Sequence, residues 1–268
     1  MNLAENKFGK ISRISITAGV DKDKTVIEDL SFTAPYKVMS PFPRPDGGIS
    51  VMPLCASAGI MEGDRQEFSF HIKKDAKLEM LSQSFEKIHK MKEGNAFRHI
   101  EAQVDAGGCF SYYPQPVIPY KDSAFDSHME IYLEDVSSRL FLMEVITCGR
   151  SASQERFAYR RFASRVEIYR NNRLIYLDNT CYEPEKMPME GLGFYEGFTH
   201  MANIFLSRHA EKMQDAIWDI LDKEPEIDGG VTRLSGGDLA VRILGRRSQK
   251  LEQIAEKIKE VFETGITD

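Results

Sequence analysis

The chain has 268 residues, 42% hydrophobic, 28% charged and 10% aromatic, a composition able to bury a sizeable core. Its 41 acidic residues outnumber 35 basic ones, and a net charge of −6 argues against a nucleic-acid binder, which usually carries a basic footprint. No apolar run reaches the roughly 18 residues of a membrane span, and the opening Met1-Asn2-Leu3-Ala4-Glu5-Asn6-Lys7 is polar rather than signal-like, so a cytoplasmic protein without membrane contact is expected.

Most of residues 8–182 reads as strands. Pro35, Pro41, Pro43 and Pro45 punctuate the first part, where the chain should follow edges or extended connectors, because proline cannot donate to a ladder. Asp64 closes Met61-Glu62-Gly63-Asp64, just ahead of the alternating Phe68-Ser69-Phe70-His71-Ile72. After Lys73-Lys74-Asp75-Ala76 the alternation resumes at Leu78-Glu79-Met80, which predicts a hairpin. Further hairpins are predicted around Asp105-Ala106-Gly107-Gly108, around Asp135-Val136-Ser137-Ser138, and around Asn171-Asn172, whose asparagines tolerate the left-handed turn conformation. Pro114, Pro116 and Pro119 mark residues 113–120 as an edge or extended connector.

The turns recur about every thirty residues, so successive units of similar length are expected to stack as layers. The last third changes character. Ala210, Met213, Ile217, Ile220 and Leu221 have helical spacing, with Ser207 as the expected N-cap and Pro225 beyond the end. A strand over residues 239–244 separates this helix from a second, in which Leu251, Ile254, Ile258, Val261 and Phe262 form the apolar stripe, Ser248 the cap and Gly265 the stop. The fold class predicted is mainly β: a multi-stranded β-solenoid or two-layer β core with two α-helices in the C-terminal region. Without a dividing linker, residues 1–268 read as one domain. Its β core covers about 8–205 and its helices about 207–223 and 248–264.

Catalytic signatures are missing. The chain has no phosphate-binding GxxxxGK[ST] loop, no GxSxG elbow and no HExxH helix, and Gly191-Leu192-Gly193-Phe194-Tyr195-Glu196-Gly197 reads as a loop. Cys55, Cys109, Cys148 and Cys181 form no CxxC pair and read as reduced, mostly buried thiols. The histidines at 71, 89, 99, 128, 200 and 209 never pair at i+2 or i+4, so each reads singly as a surface or satisfied core residue.

Three carboxylates stand out. Residues 140–146 are apolar on both strand faces except at Glu144, which shares a face with Leu140, Leu142 and Ile146. Asp178 repeats the pattern beside Leu174 and Tyr176, with Ile175 and Leu177 on the other face. A carboxylate in such a setting must be paired, hydrated or protonated. One reading is ion pairs with arginines, Arg150, Arg160, Arg161 and Arg165 among them. The other is an internal polar passage, lined by Asp64, Glu144 and Asp178, that attracts a cation.

Several phrases occur in an order that resembles the urease accessory proteins UreD, called UreH in some bacteria. They are Gly59-Ile60-Met61-Glu62-Gly63-Asp64, Ser82-Gln83-Ser84-Phe85-Glu86-Lys87-Ile88-His89, Pro114-Gln115-Pro116-Val117-Ile118-Pro119-Tyr120, Cys148-Gly149-Arg150-Ser151-Ala152, and residues 230–245. The resemblance implies a non-enzymatic scaffold with a β-rich, solenoid-like core and two helices. It implies binding to UreF, through UreF to the GTPase UreG, and docking on apo-urease subunits to deliver nickel through an internal passage. No cofactor would be tightly bound, and nickel would be in transit. By position, Asp64, Glu144 and Asp178 match acids associated with that passage, with Asp178 where relatives often have glutamate, and Ser84 and Thr147 are further candidates for its lining. The competing reading is a carbohydrate-active hydrolase using Glu144 and Asp178 as a pair roughly 5–10 Å apart across an open cleft, with Tyr112, Tyr113 and Tyr120 offered as stacking aromatics.

Overall fold

The computed structural model of the chain describes residues 11–207 and 211–264. In chain order the strands are β1 Ile11–Asp21, β2 Lys24–Phe32, β3 Tyr36–Lys37, β4 Phe42–Pro43, β5 Ile49–Val51, β6 Leu54–Cys55, β7 Arg65–Ile72, β8 Lys77–Met80, β9 Glu86–Ile88 and β10 Ala96–Val104. There follow β11 Cys109–Tyr112, β12 Val117–Pro119, β13 Ala124–Leu133, β14 Arg139–Thr147, β15 Arg161–Arg170, β16 Arg173–Tyr182 and β17 His200–Leu206. Helix α1 spans Glu211–Asp222, β18 Asp228–Arg233, β19 Leu239–Gly245, and α2 Ser248–Thr264.

Two sheets carry the fold. Sheet A is 7-stranded, in the order β16-β15-β13-β10-β7-β1-β2. Sheet B is the small pair β3-β6, and sheet C is 10-stranded, running β18-β19-β17-β14-β11-β8-β5-β4, with β9 and β12 attached off this path. The chain alternates between them: β7, β10 and β13 lie in sheet A, whereas β8, β11 and β14 that follow each lie in sheet C. Within each sheet these strands run parallel, Phe68 beside Ile100 beside Met129 in one and Leu78 beside Phe110 beside Leu140 in the other.

The first three predicted hairpins are therefore not hairpins. The turns are where expected, but each carries the chain from one sheet to the other, and a strand pairs with the equivalent strand about thirty residues away. Local alternation and a tight turn look alike in both arrangements, so periodicity alone does not separate them. Of the four predicted hairpins only β15–β16 is one, turning through Asn171 and Asn172 with φ of 51° and 58°. At the stacked corners Asp105 N–H donates to Ile72 O, Glu134 N–H to Val104 O and Asn171 N–H to Leu133 O. Gly107, at φ +73°, has no room for a side chain: a Cβ there would lie 2.1 Å from Asp75 Oδ1.

The main core fills the space between the sheets, with Ile14, Phe70, Ile100, Met129 and Val166 from sheet A against Leu78, Phe110, Leu140 and Leu142 from sheet C. A second core lies on the outer side of sheet C. There Phe141, Met143 and Val145 meet Met213, Ile217 and Leu221 of α1 and Leu251, Ile254, Ile258 and Phe262 of α2. Strand β14 is apolar on both faces because both faces are covered. Ser207 Oγ accepts the N–H of Leu140 at 2.6 Å, prolonging the β14–β17 ladder. Ala210, His209 and Gly265 lie outside the described residues. The four cysteines are unbonded, and Cys148 alone is fully buried while Cys55 is exposed.

Candidate functional site

Alternate residues of a strand point to opposite faces, so the inner face of sheet A can be read across its register. One row stands out: Ser12, Gln66, Arg98, Ser127, Ser164 and Thr180 are successive partners from β1 to β16. Gln66, Arg98, Ser127 and Ser164 are buried. A polar row thus crosses an otherwise apolar inter-sheet core, and each member must find partners there.

At one end the row enters a cavity of about 850 Å³, whose lining includes Ser12, Gln66, Arg98, Asp64, Glu86 and Ser84. Arg98 donates to Gln66 Oε1 from Nε at 2.8 Å and from Nη2 at 2.7 Å, and also pairs with Glu86. Gln66 Nε2 donates to Tyr36 OH at 2.7 Å. Burial pushes the Tyr36 and Tyr112 phenols up, so both are neutral at physiological pH. Asp64 is held by the Met61 N–H at 2.8 Å, and Ser84 is exposed at the rim.

At the other end Ser164 Oγ donates to Glu144 Oε2 at 3.2 Å, and Thr180 Oγ1 donates to Asp178 Oδ1 at 2.8 Å. The two carboxylates line one small cavity of about 10 Å³ with Leu142, Tyr176 and Asn203. That is room for about one water molecule. Asp178 is paired with Arg242 Nη2 at 2.7 Å, while Arg242 Nε donates to Asn203 Oδ1 at 2.8 Å. Glu144 has no ion pair among the described residues. Its desolvation is the main cause that pushes its carboxyl up to about 7, opposed by the Ser164 hydrogen bond and Arg98 and reinforced by Asp178.

The ion-pair expectation is met for Asp178 but with Arg242, which sequence reasoning did not single out. Arg150 pairs with Glu155, Arg161 with Asp126 and Arg165 with Glu167, while Arg160 caps the carbonyls of Asp122, Glu93 and Gly94. The face assignment for Glu144 holds, and Thr147 falls on the opposite face of β14, where its hydroxyl contacts the Gly149 backbone. A bulge in β16 between the partners of Ile168 and Tyr169 shifts parity, so Leu174 is exposed although Tyr176 and Asp178 stay inward. Asp64 and Ser84 therefore share the large cavity, Glu144 and Asp178 share the small one, and Thr147 lines neither. Sequence reasoning missed Gln66, Arg98, Ser127, Ser164 and Asn203. For the first four the signal was a polar residue recurring at the inward position of β7, β10, β13 and β15, whereas Asn203 is the register partner of Glu144 on β17.

A pocket the size of one water does not admit a sugar ring, and the offered aromatics are committed elsewhere. Tyr112 is buried in the inter-sheet core, Tyr113 hydrogen-bonds Glu79 and Lys259 beneath α2, and the Tyr120 ring is covered by the Arg150 guanidinium at 4.1 Å. Fold and site together define a two-sheet β scaffold with a polar thread through its interior. Comparison with known proteins gives that scaffold its family. The profile described as UreD urease accessory protein matches residues 11–267. The chain is 36% identical over 261 residues to "Urease accessory protein UreD" of Acetivibrio thermocellus, covering 96% of this chain and 99% of that one. It is 31% identical over 263 residues to "Urease accessory protein UreH" of Helicobacter pylori, covering 98% of each, and 34% identical over 252 residues to its counterpart in Helicobacter acinonychis, covering 94% and 95%. The chain belongs to the UreD family of urease accessory proteins, and it is an accessory protein rather than an enzyme.

Proposed function

We propose that the chain acts in the cytoplasm as a urease maturation scaffold, working as one unit over residues 1–268. It docks on apo-urease together with UreF and, through UreF, the GTPase UreG, and passes nickel toward the urease active site through its interior. The observation that carries this reading is the polar row from Ser12 to Thr180, which leads from the Asp64 cavity to the Glu144–Asp178 pair. Nickel here is cargo, not a resident cofactor.

The chemistry of the row suits transit. Oxygen donors and water hold a divalent ion of this type less firmly than imidazole or thiolate would, and a conduit must release what it takes up. Arg98 is balanced by Glu86 and Arg242 by Asp178, which leaves Glu144 without an ion pair among the described residues. With its carboxyl near 7 it gives up a proton as a cation arrives and takes one back as the cation leaves. The absence of a phosphate-binding loop in the sequence fits a protein whose partner supplies nucleotide hydrolysis.

Complementation tests the proposal. The chain is expressed in cells carrying its cognate urease operon without their own UreD, beside a Glu144→Ala/Asp178→Ala variant. Wild type should restore urease activity, and the variant should still co-purify with UreF and urease yet leave the urease nickel-poor. Equal nickel loading by both would remove the passage and leave a scaffold whose acids are structural.

A further inference from the structure

The outer face of sheet A carries a second cluster, on the opposite side of the strands from the polar row. His99 and His128 are register partners on β10 and β13, and each is the chain neighbour of a row member, Arg98 and Ser127. Their rings stack at 5.5 Å between centroids with 13° between planes. Glu130, two residues along β13, brings Oε2 to 3.1 Å from His99 Nε2 and 4.0 Å from His128 Nδ1. Ligand atoms of these three residues all lie within 4.8 Å of one another.

The surroundings hold the cluster in that shape. His128 Nε2 is 2.8 Å from Glu167 Oε2, which directs Nδ1 toward Glu130. Glu167 is fixed in turn by Arg165 Nη2 at 2.7 Å and Tyr169 OH at 3.2 Å. Tyr132 OH donates to Glu130 Oε1 at 3.2 Å, which leaves Oε2 facing the imidazoles. A carboxylate behind a ligating imidazole fixes its tautomer and strengthens it as a donor. The three side chains are 35%, 31% and 25% exposed, so an ion can reach them from solvent.

We propose that His99, His128 and Glu130 form a surface binding site for a borderline divalent transition-metal ion, through His99 Nε2, His128 Nδ1 and Glu130 Oε2. Two imidazoles and one carboxylate select nickel, zinc, cobalt or copper over magnesium and calcium. Three protein ligands leave coordination positions for water or for a donor from a partner, so the ion is exchangeable. The site uses none of Asp64, Glu144 or Asp178 and stands independently of the passage.

The test is calorimetric titration of the full chain with Ni²⁺ alone and with Zn²⁺ alone. It compares wild type, His99→Ala/His128→Ala, Glu167→Gln, and Glu144→Gln/Asp178→Asn. The histidine variant should lose one equivalent of bound metal, Glu167→Gln should bind that equivalent about 10-fold more weakly, and the passage variant should keep it. Excess Mg²⁺ should not displace it. A second readout needs no variant: sub-stoichiometric Ni²⁺ should broaden the imidazole NMR signals of His99 and His128 first. Unchanged stoichiometry and affinity in the histidine variant, displacement by Mg²⁺, or first broadening at other histidines would each overturn the site.

Discussion

Glu144 faces inward from β14 between Leu142 and Ile146 and depends on one hydroxyl, that of Ser164. With a folded-state pKa of about 7 against an ordinary 4.5, the folded chain holds a proton that the unfolded chain releases between those values. Its contribution to stability is therefore fully present below pH 4.5 and is lost as pH rises to 7 and beyond. Glu144→Gln keeps the shape and removes the charge. It should raise stability at pH 8 by about 2–3 kcal/mol and leave it nearly unchanged at pH 4.5, read from denaturant melts across that range. A gap independent of pH would mean that the carboxyl is well hydrated. Strand parity grouped Glu144 with Leu140, Leu142 and Ile146, and Asp178 with Tyr176, but which face turned inward depended on the pairing of the sheets. The partner of Asp178 was out of reach, because Arg242 sits 64 residues away on a strand that meets β16 only across the fold.

Elements were legible where their signal is local. The Asn171-Asn172 hairpin, strand β19 and helix α2 with its stripe of Leu251, Ile254, Ile258 and Phe262 all match expectation. Pairing was not legible, because β7 and β8 carry the same alternation whether they bond each other or belong to different sheets. The histidines show the same gap: His99 and His128 look solitary along the chain and become neighbours only through the pairing of β10 with β13. One tie between elements is exposed to test. Arg170 at the end of β15 is held bidentately by Asp238 ahead of β19, at 2.9 and 2.7 Å, with the aspartate fully buried. Removing one partner of a buried pair strands the other charge. Asp238→Ala should cost about 3–5 kcal/mol in urea unfolding, and a loss under 1 kcal/mol would show that water reaches Arg170.

At the scale of the molecule, two sheets enclose a polar row, two helices seal the far side of sheet C, and the outer face of sheet A presents the histidine pair. The mainly β class could be read from strand alternation and turn residues, and the accessory role from the family resemblance. The row could not, since its members are single polar residues spread from Ser12 to Thr180. Ser127 is the fourth of its six members and is buried. Ser127→Leu places an apolar side chain in the row and leaves Asp64, Glu144, Asp178 and the three residues of the outer cluster unsubstituted. The decisive measurement is nickel per urease active site after maturation in cells with this variant, with co-purification of the accessory complex as the control for folding. Complexes that assemble normally but deliver urease with most of its nickel missing are the expected result. Fully loaded urease from normally assembled complexes would contradict the passage.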